Sequence, residues 1–185
     1  MKAFNEINEY LWDKFNHGLI DRLELRNNRF ALILDKLGVN QHEIPAGIGD
    51  KYLELAPVKP NVIPHAHDIL EYLRPNYGLH IITNGFDDVQ HSKLKASQIY
   101  NYFDIIVTSD SSGHRKPQKG IFEFAMHKAG ATRNDAIMIG DNIETDILGA
   151  QNASMDQIFF NPRETRHTVD VTYEITSLKQ IMNIL

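Results

Sequence analysis

Two short apolar segments of the sequence are each followed by residues that could bind a phosphate group. Thr83, Asn84 and Gly85 follow the first segment, and Lys116 lies in a loop after the second. A hydroxyl, an amide and backbone N–H groups can donate hydrogen bonds to phosphate oxygens, and a lysine ammonium adds a positive charge. Each feature also has an ordinary interpretation, because Asn-Gly is common in turns and a basic pair in a loop is often only solvated.

A third apolar segment is followed by acidic residues. Gly140 allows the backbone to turn off the predicted strand, Asp141 comes next, and Asp146 lies five residues further on. Carboxylates at this position could bind or orient Mg²⁺, a hard ion that prefers oxygen ligands. A helix N-cap or a first-turn acid that matches the helix dipole would explain either aspartate alone. It would not explain why three strand ends carry such groups together.

The elements that must position these residues alternate along the second part of the chain. Strands are predicted at about 79–82, 105–107, 136–139, 157–160 and 171–174, and helices at about 66–73, 87–96, 121–129 and 144–151 and from Ser177. Short β-branched strands separated by helices predict an α/β fold with a parallel sheet covered on both faces. Ligands bind at the carboxyl ends of such strands, so we expect the three motifs to share one edge.

Residues 1–57 have a different pattern. Apolar residues recur at helical spacing in three stretches, at about 4–15, 23–37 and 41–55, with almost no strand signal. A segment with several prolines follows, and proline disfavours helix at the residue before it. We therefore predict a small helical domain at 1–57 and an α/β core at 58–185.

The three motifs resemble, in order, motifs two, three and four of the haloacid dehalogenase superfamily. They are Thr-Asn-Gly at 83–85, Lys-Pro at 116–117 and Gly-Asp-x-x-x-x-Asp at 140–146. Each motif alone is common, whereas the ordered set on successive strand ends is specific. The stretch from Pro64 to Phe86 and the C-terminal residues from Tyr173 resemble the pyrimidine 5′-nucleotidase-like branch. The resemblance covers about residues 60–185 and implies a Rossmann-like sheet with a small helical cap at 1–57.

The resemblance also implies a function, namely a phosphatase that acts on a small phosphorylated metabolite such as a nucleoside monophosphate. Members of the superfamily form an aspartyl-phosphate intermediate, which water then hydrolyses. By analogy, Thr83 and Asn84 would contact the transferring phosphoryl group, with Gly85 in the same phosphate-binding turn. Lys116 would offset negative charge on the nucleophile and on the phosphoryl oxygens.

The same resemblance implies a Mg²⁺ cofactor. Asp141 would help to hold the ion, and Asp146 would be a second ligand or a partner that orients the site. A 2-haloacid dehalogenase shares the fold but needs no Mg²⁺, so the acidic motif disfavours that alternative. A non-catalytic relative that keeps a phosphate- or metal-binding pocket remains open.

The first motif of the superfamily, Asp-x-Asp-x-Thr after an initial strand, is not found in this sequence. Residues 31–35 imitate an apolar strand that ends in an acid, but Lys36 and Leu37 follow, and the segment also matches a helix. We therefore expect the nucleophile segment to precede the cap and the 185-residue chain to be inactive by itself. A truncated sequence is the favoured explanation for the absent motif, and a natural fragment that completes its sheet with another chain is the less favoured one. The absent strand would lie between those that end at Ile82 and Ile139, leaving two strand edges at a gap.

Composition narrows the function classes further. The 185 residues carry a formal net charge of −5, which argues against a nucleic-acid or anionic-membrane partner. Cysteine is absent, so disulfides and a thiol nucleophile are excluded. No secretory signal and no apolar run of transmembrane length is found, which predicts a cytoplasmic protein. The sequence does not indicate an oligomeric state.

Overall fold

The computed structural model describes residues 1–40 and 43–185, and the chain divides into two compact units, Met1–Val58 and Lys59–Leu185. The helices of the first unit are α1 (Lys2–Asn16), α2 (Arg22–Lys36) and α3 (Ile48–Leu55). The predicted start of a third helical stretch at Gln41 lies outside the described residues. The role of this unit as a cap stays a prediction.

Local sequence signals define the ends of α2. The Asp21 side chain accepts a hydrogen bond from the Glu24 N–H, and the Glu24 side chain accepts one from the Asp21 N–H. This capping box satisfies two backbone donors that the first turn of a helix leaves free. The chain leaves the helix through Gly38, whose φ of 75° suits glycine. The segment that imitates a strand, residues 31–35, is therefore helical.

The second unit alternates helices and strands, as the sequence predicts. Its elements are α4 (Ala66–Leu73), β1 (His80–Thr83), α5 (Asp87–Ala96), β2 (Ile105–Thr108), α6 (Ser109–Ser112), α7 (Lys119–Ala129), β3 (Ile137–Gly140), α8 (Leu148–Asn152), β4 (Asp156–Phe160) and β5 (Tyr173–Ile175). Short 3₁₀ segments lie at Tyr100–Tyr102 and Leu178–Asn183. Several details differ from the prediction, and the unpredicted short helix α6 is one of them. The C-terminal helix is a 3₁₀ helix, and a π-helical turn, Ile143–Ile147, precedes α8.

The strands form two short parallel sheets. In the first, β1 pairs with β2, and in the second β4 lies between β3 and β5. Among the described strands, β1 pairs with β2 alone and β3 pairs with β4 alone. Burial follows this pattern, since Ile81 and Ile82 of β1 are half-buried whereas Ile158 and Phe159 of β4 are buried. Each of β1 and β3 thus keeps one edge without a described strand partner.

Apolar layers on two faces hold the strands. On one face, residues of β2, β3, α7 and α8 form a cluster that contains Val107, Met138, Phe122 and Ala150. A second cluster joins α4, β4, β5 and the C-terminal segment, with Ile69, Ile158, Ile175 and Ile181 as members. Successive residues of β3 alternate between the clusters, because side chains along a strand point to opposite faces. This is the α/β architecture with helices on both faces that the sequence predicts.

The loop after β4 is closed by a polar cluster. Asn161 is buried, and its amide donates to Glu174 Oε1 at 2.7 Å and to the Thr165 carbonyl at 3.0 Å. His167 lies 3.2 Å from Glu174 Oε2 and 3.1 Å from the Val169 carbonyl. The Asn161 hydrogen bond, with a smaller contribution from His167, lowers the pKa of Glu174, although burial opposes this shift.

The lowered pKa of Glu174 predicts a pH-dependent contribution to stability. A carboxyl group with a depressed folded-state pKa stabilises the protein above its unfolded pKa, and this contribution is lost as pH falls through the folded value. Glu174→Gln should therefore lower the free energy of unfolding at pH 5.5 by less than about 1 kcal/mol, since the side chain is partly exposed. The difference from wild type should shrink towards pH 3.

Urea unfolding at pH 5.5, 4.5 and 3.5 measures this effect. Glu123→Gln is the control, since Glu123 is exposed on α7 and pairs with Lys119 at the surface. A Glu174→Gln difference that stays constant over this pH range would contradict the prediction.

Candidate functional site

Asn84 joins the end of β1 to the loop that carries Lys116. Its Nδ2 donates to the Lys116 carbonyl at 2.9 Å, and the Lys116 N–H donates to Asn84 Oδ1 at 2.7 Å. Asn84 is buried, so these bonds form away from water. Both ends of the amide are thus used to hold the lysine backbone. In this arrangement the Asn84 side chain positions Lys116.

The Lys116 side chain connects this loop to the segment after β3. Nζ donates to Asp146 Oδ1 at 2.6 Å, and the two side chains are only 12% and 5% exposed. An ammonium has three N–H donors, and Asp146 accepts one of them. The remaining donors can bind the oxygens of an anion next to the strand ends. Lys116 is therefore a largely buried cation with a fixed partner and N–H donors left for a ligand.

Asp146 is held by four donors. Oδ1 accepts from Lys116 and, at 3.3 Å, from the Thr145 hydroxyl. Oδ2 accepts from the backbone N–H groups of Asp141 and Asn142, both at 3.1 Å. The carboxylate lies in the π-helical turn, and such turns occur often at functional sites. With both oxygens occupied in this way, Asp146 suits the orienting role better than direct metal ligation.

Gly140 makes room for this carboxylate. A Cβ at position 140 would collide with Asp146 Cβ and lie 2.5 Å from its Oδ2. Asp146 is buried and fixed by its donors, so it cannot move aside without losing hydrogen bonds. Gly140 is thus required for two reasons, the turn of the backbone after β3 and the close packing of Asp146.

Asp141 differs from Asp146 in its environment. Its backbone N–H is held by Asp146, but the residue is exposed, and its carboxylate has no hydrogen-bond partner among residues 1–40 and 43–185. An exposed carboxylate at the carboxyl end of a strand has the donor chemistry that Mg²⁺ requires. Magnesium sites often use one or two protein carboxylates, with water and substrate phosphates completing the coordination. Asp141 therefore fits a magnesium ligand.

Thr83 lies at the end of β1 with its hydroxyl partly occupied. Its Oγ1 accepts a hydrogen bond from the Gly85 N–H at 2.9 Å. Because the oxygen accepts this bond, the hydroxyl proton is free to be donated to a ligand oxygen. The Gly85 N–H is used within the turn, so Gly85 contributes mainly by leaving space. A Cβ there would clash with the Gln90 side-chain amide and lie 3.1 Å from Thr83 Oγ1.

A second polar link at this edge was not identified from the sequence as part of the site. Thr108, at the end of β2, is fully buried, and its hydroxyl donates to Asp87 Oδ1 at 2.7 Å. Thr108 also caps α6 through reciprocal bonds with Ser111. The Thr-x-x-Ser spacing was the available signal, since it is a variant of the capping box. The link fixes the start of α5, directly after the Thr83 turn.

The structure thus brings together residues from all three motifs. Asn84, Lys116 and Asp146 form one connected network, and Asp141 is joined to it through its backbone. Within the described part of the chain, the Thr83 hydroxyl group bonds only inside its own turn. This edge of the sheets therefore has the chemistry of an anion-binding site. Lys116 supplies its positive charge, and the exposed carboxylate of Asp141 lies in the segment after β3.

Comparisons with known proteins agree with this description. The family model for haloacid dehalogenase-like hydrolases matches residues 2–160. Pyrimidine 5′-nucleotidase YjjG of Escherichia coli is 31% identical over 185 residues, covering 98% of this chain and 80% of the relative. The chain therefore belongs to the haloacid dehalogenase-like hydrolase family. Within it, the chain lies in the nucleotidase-like branch.

Solved structures show the same fold. The HAD-hydrolase YfnB of Bacillus subtilis, solved with bound magnesium, superposes with a TM-score of 0.87 at 29% identity, covering 98% of this chain and 79% of that one. A dehalogenase superposes with a TM-score of 0.82 over 100% of this chain and 82% of its own. At 21% identity, that second likeness shows the fold alone.

The Lys116–Asp146 pair generates a stability prediction. Lys116→Met leaves the Asp146 carboxylate buried without its cation, and breaking a buried pair on one side typically costs about 3 kcal/mol or more. We expect a loss of about 2–4 kcal/mol in the free energy of unfolding, measured by urea denaturation. The control is Lys119→Met, which removes an exposed lysine three positions later and should change stability by less than about 1 kcal/mol. Equal effects of the two substitutions would contradict the role assigned to the pair.

Gly140→Ala tests the packing of Asp146 by a different route. The added methyl group would displace the Asp146 carboxylate and so weaken its bonds to the N–H groups of Asp141 and Asn142. Overpacking of this kind typically costs about 1–3 kcal/mol. The control is Ala153→Ser, which adds one atom at a position with a negative φ and should change the unfolding free energy less. Gly130→Ala is not suitable as a control, because the φ of 65° at Gly130 would itself strain an alanine. Unchanged unfolding free energy and unchanged amide chemical shifts at 141 and 142 in Gly140→Ala would exclude this close contact.

Proposed function

We propose that this protein is a phosphomonoesterase that acts on a small phosphorylated metabolite. The observation that carries the proposal is the network in which Asn84 and Asp146 hold Lys116 at the carboxyl ends of the strands. A lysine held in this way supplies a positive charge without the cost of reorganisation during reaction. A site that contains this fixed positive charge suits a phosphate dianion better than a neutral substrate.

The proposed roles follow from the free donors of each residue. Thr83 donates its hydroxyl proton to one phosphoryl oxygen, and the remaining N–H donors of Lys116 bind another. Asn84 acts as a positioning residue because its amide is used on the Lys116 backbone. Catalysis at such a site consists mainly of orientation and of stabilising charge as it develops.

Mg²⁺ is the proposed cofactor, with Asp141 as a ligand and Asp146 as the residue that orients the Asp141 backbone. When bound, the ion supplies positive charge to the phosphoryl oxygens. The support is the exposed carboxylate of Asp141 and the magnesium that the YfnB structure contains. We propose no direct ligation by Asp146, because four donors already occupy its oxygens.

The nucleophile proposed by analogy with the family is an aspartate, and the reaction proceeds through an aspartyl-phosphate. The sequence contains no Asp-x-Asp motif. We propose that an extended strand lying between the edges of β1 and β3 that have no described strand partner provides it, in parallel orientation, so that its carboxyl end reaches Lys116. Without such a strand, the 185-residue chain is expected to bind phosphate but not to turn over a phosphate ester.

Nucleoside monophosphates are the proposed substrate class. The support is the pyrimidine 5′-nucleotidase activity in the name of YjjG, to which the chain is similar over nearly its whole length. A second candidate function is phosphate or metal binding without turnover, and the absent Asp-x-Asp motif favours it. Dehalogenation is disfavoured because that reaction needs no Mg²⁺, whereas the exposed Asp141 carboxylate suits a metal ligand.

The experiment compares hydrolysis of p-nitrophenyl phosphate by two proteins. One is the 185-residue chain, and the other carries an apolar strand that ends in Asp-x-Asp-x-Thr fused before Met1. We expect turnover only in the fused protein and only with Mg²⁺. Asp141→Asn should lower its rate about a hundredfold. Asp50→Asn, which removes an exposed acid from α3, should leave the rate unchanged.

Three outcomes separate the candidates. Turnover by the 185-residue chain itself, abolished by Asp141→Asn, would mean that one of its own carboxylates is the nucleophile. Phosphate binding without turnover in either protein would favour the non-catalytic function. Turnover by the fused protein at the same rate with a chelator present would exclude the role proposed for Mg²⁺.

A further inference from the structure

Arg29 of α2 is a buried cation in the helical unit. Only 5% of the residue is exposed, and its Nε has no hydrogen-bond partner among residues 1–40 and 43–185. An arginine keeps its positive charge at all ordinary pH values, so burial does not neutralise it. Buried charges in proteins are normally paired or hydrogen-bonded, because an unpaired charge has lost its hydration.

The described neighbours of Arg29 do not supply a negative charge. Its guanidinium carbon lies 5.2 Å from the centre of the Tyr52 ring, and that ring also contacts Phe4 and Phe30. Burial lowers the pKa of Arg29, Tyr52 opposes this shift, and the nearby charge of Arg26 adds to it. Among the described residues, no aspartate or glutamate acts on this pKa. The aromatic ring offsets part of the lost hydration and leaves the Nε–H donor unused.

We propose that Arg29 is the anion-binding residue of the helical unit, and that its ligand is a small molecule bearing a carboxylate or phosphate group. A guanidinium presents N–H donors in a planar fork that matches the oxygens of either group. The ring of Tyr52 holds one face of this fork and so restricts its orientation. A bound oxyanion would supply both the charge and the acceptor that the described protein groups lack.

The residues of this site and those of the phosphate site at Lys116 belong to different units of the chain. All of its residues belong to the unit Met1–Val58, whereas Lys116 and Asp146 belong to Lys59–Leu185. Anion binding at Arg29 therefore does not depend on whether the chain is a phosphatase. It gives the helical unit a ligand contact of its own, through which that unit could select among anionic metabolites.

The test observes the Nε–H signal of Arg29 by NMR in the whole chain labelled with ¹⁵N-arginine. The signal is assigned by its absence in Arg29→Lys. We expect a saturable shift of this signal as inorganic phosphate or, in a second titration, acetate is added at constant ionic strength. The phosphate and acetate arms distinguish the two oxyanion classes. The Nε–H signal of Arg22, at the start of the same helix, is the internal control and should follow neither anion.

Variants provide a second readout. Phosphate binding at this site, followed by the backbone amide shifts of residues 28–30, should weaken by about tenfold or more in Arg29→Met, the loss expected for a charge-assisted contact. Lys51→Met, which removes an exposed cation from the same unit, should bind as wild type does. If Arg29→Met does not fold, the titration of the wild-type signal still decides. An Arg29 signal that moves with neither anion would overturn the proposal and leave Arg29 as a packing partner of Tyr52.

Discussion

The ion pair between Lys116 and Asp146 is the interaction on which the rest of the second unit depends. Both groups are nearly buried, so each requires the other to compensate for lost hydration. Asn84 fixes the Lys116 backbone. The N–H groups of Asp141 and Asn142 donate to the second carboxylate oxygen of Asp146. A chain of strong polar contacts thus runs from the end of β1 to the turn after β3.

This network has a structural consequence, because β1 and β3 belong to two different sheets. No described backbone hydrogen bond pairs those strands, yet the segments that follow them are tied through Lys116. Apolar layers above and below supply the remaining contacts between the elements of the second unit. The edge that would bind a phosphate is therefore organised by polar side chains more than by continuous sheet pairing.

The two units each contain a cation with little solvent exposure, and the two cations have different partners. Lys116 has a carboxylate partner at 2.6 Å, whereas Arg29 is placed against the face of an aromatic ring. A paired lysine serves as a fixed charge in the wall of a site. A guanidinium against a ring keeps its donors for a ligand, because an aromatic face accepts charge but only weakly accepts hydrogen bonds. In each unit, the partner of the cation thus determines how many of its N–H donors are left for a ligand.

The sequence alone determined the alternation of helices and strands, the positions of the three motifs and the family, since these depend on local periodicity and on residue types in order. It also indicated the helical nature of residues 31–35 through the apolar spacing of the run that ends at Gly38. Only the tertiary structure decided what each site residue contacts. The Asn84 side chain holds the backbone of Lys116, and four donors occupy the carboxylate of Asp146. The sequence does not show these contacts, because packing decides which residues distant in sequence become hydrogen-bond partners. The burial of Arg29 likewise depends on Tyr52, 23 positions away along the chain, which no local pattern reveals.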